Sequence, residues 1–336
     1  MADGRGDEVR EGIPIHDVGA ASGRLGRMLN TTHRMYHYAL ELGGQIHHLH
    51  DPELIPMGLK LKRKGKIVVF DAHEDLPKQI LAKPYLSRPM SWFVSNVCAA
   101  YERMVCGRFD AVVAATPCIG GKFLAINSST VTVSNYPLLD EFAANTRDWN
   151  AKRKQVCYIG GLEDIRGIKE MVRAFEHVRC GARLRLGGSF SEQQLAHEVM
   201  AYSGWQNVDY CGWLDRDQVR HTLHMSVAGL VTLHPLVNYM EASPVKMFEY
   251  MSAGIPVIAS RFPLWREIVE GNSCGLCVDP LDPEAIAGAI DYLVENPERA
   301  QEIGRNGRRA VQERYNWSLE ERKLLSLYRR LIEKTR

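Results

Sequence analysis

The sequence predicts an α/β protein of two domains, each built around a doubly wound parallel sheet. Three observations carry this prediction. The chain has 336 residues, which is more than one ordinary hydrophobic core encloses. Short apolar runs alternate with longer amphipathic stretches along most of its length, as in successive strand–helix–strand units. A polar stretch at 145–154 interrupts this alternation and separates two such series.

The apolar runs have the length expected of buried strands. Those of the first series are Ile67–Phe70, Ala111–Ala115 and Val131–Val133, and those of the second are Val156–Ile159, Leu184–Leu186, Val208–Cys211, Ala228–Val231 and Pro256–Ala259. Helical patterns at 166–179, 190–203, 215–225 and 245–253 separate members of the second series. Because parallel strands need crossover connections of this kind, each series predicts its own parallel sheet.

The polar stretch sets the expected domain boundaries. We expect an N-terminal domain over 1–148, a second domain over 149–317, and a C-terminal helix over 318–336 that returns to the N-terminal domain. Ligands of doubly wound sheets bind beyond the carboxyl ends of the strands. Functional residues should therefore follow strands, in a cleft between two facing domains.

Bulk composition argues against some functions. Lys and Arg total 42 against 40 Asp and Glu, a balance that does not favour nucleic-acid binding. No apolar run approaches the ~18 residues that a membrane-spanning helix needs. The stretch 84–105 contains Tyr85, Trp92 and Phe93 close to basic residues. That pattern is typical of a buried helix or of peripheral contact with a membrane surface.

The segment from Glu241 to Glu249 places two carboxylates around a predicted helix start. Ser243 is the expected N-cap and Pro244 the expected first helical residue. Lys246 and Glu249 then lie one turn apart on one face, while Glu241 stays in the entering loop. A helix N-terminus suits a phosphate, and a nearby carboxylate can accept both hydroxyls of a ribose. A capped surface helix with a Lys–Glu pair is the alternative interpretation.

The stretch 155–317 resembles the donor domain of family 4 of the retaining glycosyltransferases. That family has a Glu-x7-Glu motif before a helix and a Gly-x-Pro-Val strand, which Glu241, Glu249 and Gly254-Ile-Pro-Val257 match. Further matches are Tyr158-Ile-Gly160, Gly187, Gly212, Gly275–Pro280 and Tyr315-Asn-Trp317. The resemblance implies the GT-B fold, with two facing Rossmann-like domains, and a nucleotide-sugar donor.

The resemblance also implies roles for the donor-side residues. Glu249 would hold the donor ribose, and Glu241 would contact the transferred sugar or its phosphate together with the backbone around Ser243. Pro244 has no N–H, so the backbone amides that hold the phosphate must include that of Val245.

Cations at the diphosphate would stabilise the leaving group. The family places an Arg directly after the Gly of the first strand–helix loop and a Lys or Arg five positions later. Here the loop begins Gly160-Gly161, so a glycine stands at the first position, and Arg166 stands at the second. Lys246 is the nearest candidate for the missing charge.

The N-terminal half has two polar clusters that follow apolar runs, His47–Glu53 and Asp71–Asp75. Alternation places His48 and His50 on one face of their strand, and Asp71, His73 and Asp75 on one face of theirs. If the two strands are neighbours, these side chains converge. The ligand types would suit a metal, but the spacing matches no closed zinc pattern, so no metal is expected.

In the family, a histidine that ends an N-terminal strand lies near the transferred sugar, and His73 matches it best. This gives His73, Glu241 and Arg166 as the catalytic set, with a structural histidine as the alternative for His73. The segment after the first cluster resembles the acceptor loop, which gives His50, Asp51, Glu53 and Asp75 as acceptor-side residues. For Asp51 and Glu53 the alternative is capping of the following helix.

The implied reaction is retaining transfer from a nucleotide diphosphate sugar to a hydroxyl of a glycan or lipid-linked acceptor, without a cofactor. The implied setting is bacterial cell-surface polysaccharide synthesis in the cytoplasm, at the inner membrane face. A nucleotide-sugar epimerase of the same fold and a non-catalytic nucleotide-sugar-binding protein are the alternatives. Complete family members begin with a strand, a Gly-rich loop and a helix that have no counterpart here. The N-terminal domain is therefore expected to be incomplete.

Overall fold

The computed structural model describes residues 4–20, 23–26, 30–81, 86–139, 141–142 and 149–334. Their contacts divide the chain into two units, Met1–Ser134 with Glu321–Arg336, and Asn135–Glu320. The sequence-based boundary at 148/149 lies later in the chain, next to the undescribed residues 143–148. Tyr136, Leu139 and Phe142 pack against the core of the second unit, because these apolar side chains find their partners there.

The first unit contains a short antiparallel hairpin and a four-stranded parallel sheet in the order β3-β4-β5-β6. The strands are β1 Glu8–Arg10, β2 Ile13–Ile15, β3 Ile46–Leu49, β4 Ile67–Ala72, β5 Ala111–Ala114 and β6 Thr130–Thr132. The helices are α1 Gly23–Gly26, α2 Thr32–Glu41, α3 Ile55–Arg63, α4 Leu76–Leu81, α5 Arg88–Cys106 and α6 Pro117–Leu124. Strand β4 is buried along its whole length, as its continuous apolar run predicts.

Helix α5 presents two aromatic residues, Trp92 and Phe93, to solvent, whereas Tyr101 packs against the core of the first unit. Ser91 and Ser95 are buried, whereas Trp92 and Phe93 are 64% and 60% exposed. The prediction of a buried helix is therefore wrong for these aromatic side chains, while Tyr85 lies outside the described residues. Within the described part of the chain, no helix has the length and apolar character that crossing a membrane requires.

The second unit contains a six-stranded parallel sheet in the order β12-β11-β10-β7-β8-β9. The strands are β7 Gln155–Ile159, β8 Arg183–Gly187, β9 Val208–Gly212, β10 Ala228–Val231, β11 Val257–Ser260 and β12 Gly275–Val278. The helices are α7 Ile168–Ala174, α8 Gln193–Met200, α9 Arg216–Met225, α10 Val237–Met240, α11 Val245–Ser252, α12 Pro263–Val269, α13 Pro283–Glu295 and α14 Pro297–Glu313. The last helix, α15 Trp317–Glu333, begins in this unit and belongs to the first unit from Glu321 onward. All five strands predicted for this series are confirmed.

Two apolar clusters cover the two faces of this sheet. Leu230 and Val231 are neighbours in β10 and belong to different clusters, because alternate residues of a strand point to opposite faces. Tyr158 lies in the cluster of Leu230, and Trp265 lies in the cluster of Val231. The central strands β7 and β10 are thereby enclosed, and their carboxyl ends are held in a fixed relation. Those ends carry the candidate site.

Candidate active site

The loop after β7 lies over the carboxyl end of β10. Gly160 begins this loop with φ 146°, which an L side chain rarely adopts. Gly167 closes it in the left-handed region at φ 75°, so close to β10 that a Cβ there would lie 2.0 Å from the Thr232 carbonyl oxygen. The amide of His234 donates to the carbonyl oxygen of Ile165 at 3.0 Å. These contacts require glycine at position 167 and fix the position of Arg166.

Lys246, in the first turn of α11, points at this loop. Its Nζ lies 3.8 Å from the centroid of the Tyr158 ring, and a Cβ on Gly160 would be 2.6 Å from it. The Nζ atom is buried and has no hydrogen-bond partner among the described residues. Burial, and then the nearby Arg166 charge, lower the pKa of Lys246 to about 7. A buried ammonium without a partner is costly, so this amine is poised to receive an anion.

Arg166 lies on the same side of the loop. Its Nε is 3.2 Å from Oε1 of Glu163, and both side chains are one-third exposed. A Cβ on Gly161 would lie 3.1 Å from that carboxylate and 3.7 Å from the Arg166 guanidinium. The structure therefore brings together Gly160, Gly161, Arg166 and Lys246, four residues that the sequence predicted for the donor site.

Glu249, in the second turn of α11, is held by an arginine that the sequence analysis did not select. Nη1 of Arg216 donates to Oε1 of Glu249 at 3.0 Å, and Nε of Arg216 donates to Oε1 of Glu141 at 2.7 Å. The guanidinium also lies over the Phe142 ring, 5.2 Å from its centroid. Arg216 is the first residue of α9, where the Asp215–Gln218 capping box fixes the helix start. Glu249 is 14% exposed, so its orientation is well determined.

The helix start at α11 differs by one residue from the prediction. Pro244 is the N-cap, Val245 is the first helical residue, and Ser243 makes no capping hydrogen bond. The cap prediction for Ser243 is therefore wrong, because the chain turns into the helix at the fixed φ of proline. Glu241 is the C-cap residue of α10. The indole of Trp265 donates to the carbonyl oxygen of Ala242 at 2.7 Å and fixes the connection that separates the two glutamates.

Asp215 and Asp217 have the spacing of a metal-binding Asp-x-Asp pair, but they make other contacts here. The Asp215 carboxylate accepts the amide of Gln218 at 2.8 Å. The Asp217 carboxylate pairs with Arg220 on the same helix. Both carboxylates therefore have partners within the first turns of α9.

In the first unit, the predicted convergence of the two polar clusters is confirmed. Strands β3 and β4 are parallel neighbours. Nδ1 of His50 lies 3.1 Å from Oδ2 of Asp71, and Nε2 of His73 lies 3.6 Å from the same oxygen. Burial alone would raise the pKa of Asp71, but the close contacts with His48 and His50 outweigh it and hold that pKa well below its usual range. The hydrogen bond with Asp71 raises the pKa of His50.

The other acceptor-side residues make contacts of their own. Asp75 does not join it, since its carboxylate lies 2.8 Å from Nζ of Lys122, and the expectation that it shares the site of Asp71 and His73 is wrong. Asp51 occupies the N-cap of the 3₁₀ turn Pro52–Leu54, but its side chain makes no cap hydrogen bond. Glu53 lies within that turn and lines a surface depression with Lys60.

The second unit also matches a family of known enzymes. Residues 140–310 fit the family model described as glycosyl transferases group 1. The chain belongs to the group 1 glycosyltransferase family. Its parallel α/β sheets are those of GT-B proteins, which confirms the predicted fold class.

Two relatives illustrate the sequence identity of this group 1 glycosyltransferase to known proteins and the share of each chain that is covered. It is 24% identical over 183 residues to an uncharacterized glycosyltransferase of Methanocaldococcus jannaschii, covering 54% of this chain and 46% of the relative. It is 30% identical over 198 residues to the sucrose synthase of Acidithiobacillus caldus, covering 57% of this chain and 25% of that enzyme. The chain thus spans less than half the length of these curated relatives.

Solved structures resemble the group 1 glycosyltransferase over nearly its whole length. Anabaena HepE in complex with UDP has a TM-score of 0.74 at 15% identity, with 94% of this chain and 86% of that chain covered. Sucrose-phosphate synthase from Thermosynechococcus elongatus has a TM-score of 0.71 at 21% identity, with 94% and 81% covered. At these identities the likeness shows the fold.

Sequence reasoning about this glycosyltransferase missed Arg216 and Glu141, and it named Asp71 in the second polar cluster without giving it a role. Arg216 follows Gly212, which carried part of the family resemblance, by four residues, so a basic residue beside a capping aspartate was a usable signal. Glu141 gave no signal, because its pairing depends on how residues 141 and 142 fold back onto α9.

Proposed function

We propose that this chain is a retaining glycosyltransferase of family 4, which transfers a sugar from a nucleotide diphosphate sugar to a hydroxyl. The observation that carries the proposal is the buried Nζ of Lys246. It lies beside the Gly160–Gly161 backbone and near Arg166, and no acceptor among the described residues satisfies it. A diphosphate would supply the missing negative charge.

The surrounding groups suit the rest of a nucleotide diphosphate. The first amides of α11, at Val245 and Lys246, lack intrahelical partners and point toward the helix start, where an anion is favoured. One turn later, Glu249 offers carboxylate oxygens for the two hydroxyls of a ribose. In this proposal Arg166 keeps the family's second cation position, and Lys246 replaces the cation that the family places at the position of Gly161.

The proposed reaction breaks the bond between the anomeric carbon and the diphosphate oxygen while the acceptor oxygen bonds to that carbon. The acceptor proton passes to the departing phosphate oxygen on the same face, so the configuration is retained. Lys246 and Arg166 stabilise the charge on the leaving group, and Glu241 contacts the transferred sugar. We propose that no metal ion is needed at the diphosphate.

The family resemblance supports the remaining assignments of the proposal. His73 contacts the transferred sugar, and His50, Asp51 and Glu53 contribute to binding of a glycan or lipid-linked acceptor. The pathway is bacterial cell-surface polysaccharide or lipopolysaccharide synthesis at the cytoplasmic side of the membrane. Exposed Trp92 and Phe93 on α5 are suited to peripheral contact there. That HepE was solved with UDP supports a uridine donor as the first to test.

The test begins with a thermal-shift screen of UDP-, GDP- and ADP-sugars against the full chain, since a ligand that binds the native state raises its melting temperature. The stabilising donor is then measured with Lys246→Met. Lys154→Met is the matched control, because Lys154 is exposed and precedes β7, at the opposite end of the strand from Gly160. We expect K246M to lose at least about tenfold in donor affinity, as for the loss of a charged hydrogen bond, and K154M to retain it.

Equal effects of the two substitutions, or no stabilising nucleotide sugar, would overturn the donor-site proposal. The stabilising donor, radiolabelled in its sugar, is then incubated with glycan and lipid-linked acceptors. Label in a larger product, with the α-linkage retained, supports transfer. Rearranged but untransferred label would instead identify an epimerase.

A further inference from the structure

A compact group of three imidazoles and one carboxylate lies at the carboxyl ends of β3 and β4. Around Oδ2 of Asp71 lie Nε2 of His48 at 3.5 Å, Nδ1 of His50 at 3.1 Å and Nε2 of His73 at 3.6 Å. Nδ1 of His50 and Nε2 of His73 are 3.4 Å apart. The ligand atoms of His48, His50 and Asp71 all lie within 4.8 Å of one another.

The charge of this group is not balanced by a lysine or arginine. Asp71 is 11% exposed, and in the described part of the chain its ion-pair partners are all histidines. A buried carboxylate needs a compensating cation. Neutral imidazoles supply only dipoles, so the counter-charge must be a proton on the histidines or a bound metal ion.

The distances favour a metal ion. Four ligand atoms bound to one zinc ion at about 2.0–2.1 Å in a tetrahedron lie roughly 3.3 Å from one another. Four of the six separations among the ligand atoms of His48, His50, Asp71 and His73 lie between 3.1 and 3.6 Å, whereas His73 lies outside the set whose ligand atoms are all within 4.8 Å of one another and must turn toward His48 to complete the site. Imidazole and carboxylate together suit divalent zinc and its first-row neighbours. We propose that His48, His50, Asp71 and His73 bind one zinc ion, which joins the ends of β3 and β4.

His48 has the surroundings of a metal ligand. Its Nδ1 is hydrogen-bonded to the hydroxyl of Tyr328 on α15, as the second ring nitrogen of a metal-bound histidine usually is. Its Nε2 is buried, has no hydrogen-bond partner in the described structure, and faces Asp71. Tyr328 thereby fixes the ring so that the other nitrogen points into the group.

Two of the ligands must turn slightly to bind. The rings of His48 and His50 are stacked at 4.6 Å, and those of His50 and His73 at 5.7 Å, so their in-plane lone pairs do not yet meet at one point. His50 and His73 are 60% and 44% exposed. Rotation about their Cβ–Cγ bonds is therefore open to both rings, and this torsion is broad for histidine.

The site was invisible in sequence spacing because its ligands come from two strands. The spacing argument considered closed zinc patterns within short segments, whereas β3 and β4 are separated in the chain by α3. The proposed ion belongs to the first unit, and the diphosphate cations belong to the second. Zinc binding and donor binding are therefore measured separately, although a zinc ion on His50 and His73 would replace the direct contacts that the proposed function gives these two residues.

The test uses the full chain without a histidine tag, stripped with chelator and dialysed against Zn²⁺ and, separately, Co²⁺. We expect one ion per chain by elemental analysis, the visible absorption of tetrahedral Co²⁺, and a melting temperature raised by Zn²⁺. Asp71→Asn and His48→Gln should each weaken Zn²⁺ binding at least about tenfold, and Tyr328→Phe by about 10–100-fold, the range for losing the hydrogen-bond partner of a metal-bound histidine.

The matched control is His37→Gln. His33 and His37 stack one turn apart on α2 with centroids 4.5 Å apart, and such a pair could chelate zinc by itself. H37Q should leave stoichiometric binding unchanged. Near-ultraviolet circular dichroism confirms that each variant is folded, and H48Q keeps the test valid if D71N unfolds.

Three results would overturn the zinc site. They are absence of stoichiometric Zn²⁺ binding by the unaltered chain, retention of binding in folded D71N and H48Q, and loss of binding in H37Q. Nucleotide-sugar binding is measured on the same samples by thermal shift. A chain that binds donor but no zinc refutes only this inference, and one that binds zinc but no donor refutes only the proposed function.

Discussion

Nη1 of Arg216 donates a 3.0 Å hydrogen bond to Oε1 of Glu249. This contact links the first residue of α9 to the second turn of α11, and Glu141 holds the same guanidinium from the other side. One carboxylate oxygen of Glu249 is thereby engaged by Arg216. In the proposed donor site, Arg216 positions Glu249 for the ribose.

We predict that Arg216→Ala weakens nucleotide binding by roughly tenfold, since a hydrogen bond to a charged group contributes about 1.5 kcal/mol or more. Because Arg216 acts through Glu249, R216A should add little in a Glu249→Gln background. Calorimetric titration with the donor nucleotide measures the dissociation constants of R216A and of the double variant. Arg220→Ala, one turn further on the same helix and paired with Asp217, is the control and should change nothing. Additive losses in the double variant would contradict the positioning role.

Glu241 and Glu249 should affect different kinetic constants. Glu249→Gln is expected to raise the dissociation constant of the nucleotide, because it removes the ribose acceptor. Glu241→Gln should leave that constant near its original value and lower the transfer rate by about 100-fold, as for the loss of an electrostatic contact made in the transition state. Nucleotide titration measures the dissociation constant, and steady-state kinetics on the same preparations measures the transfer rate. An equal loss of nucleotide affinity in both variants would refute this division of roles.

Donor binding should depend on pH through Lys246. Its pKa is lowered to about 7 in the unliganded protein, and a bound diphosphate would raise it. Binding therefore takes up a proton above pH 7, and the dissociation constant should rise with pH by up to about tenfold per unit. Below pH 7 the lysine is charged in both states and contributes no dependence. Calorimetry in buffers of different ionisation enthalpy measures the proton uptake, which K246M should abolish.

The lowered pKa of Lys246 also predicts how the free energy of unfolding of the unliganded chain depends on pH. An unfolded lysine titrates near 10.5, so between pH 7 and 10.5 the unfolded state binds more protons at this residue than the folded state. The contribution of Lys246 to the free energy of unfolding should therefore rise with pH across that window. Urea unfolding of the original chain and K246M at several pH values isolates it. If the free energies of unfolding of the original chain and K246M differ by the same amount at every pH, Lys246 does not titrate between pH 7 and 10.5.

Gly167 should be essential for stability as well as for the site. A Cβ there would lie 2.0 Å from the Thr232 carbonyl oxygen, at a φ of 75°, so Gly167→Ala should lower the free energy of unfolding by about 1–3 kcal/mol. Gly288→Ala is the control, since Gly288 lies within α13 with no atom close to a new Cβ. It should raise stability by about 0.5–1 kcal/mol. Urea unfolding measures both, and a neutral G167A would contradict the close approach of this loop to β10.

The sequence by itself determined the α/β class, the two series of parallel strands and much of the donor-side set. These are local signals: a buried strand is a short apolar run, and Lys246 and Glu249 share a helix face because the helical period places them there. The helix start at Val245 was missed by one residue because Ser243 and Pro244 are both plausible caps from sequence alone, and only the backbone geometry distinguishes them.

Tertiary structure alone decided which distant residues meet. The pairing of Arg216 with Glu249, the burial of Lys246 beneath Gly160, and the gathering of three histidines around Asp71 all join segments far apart in the chain. Periodicity fixes the face of an element on which a side chain lies. It carries no information on the neighbour that the face will meet, because that depends on strand order and on the packing of the whole sheet.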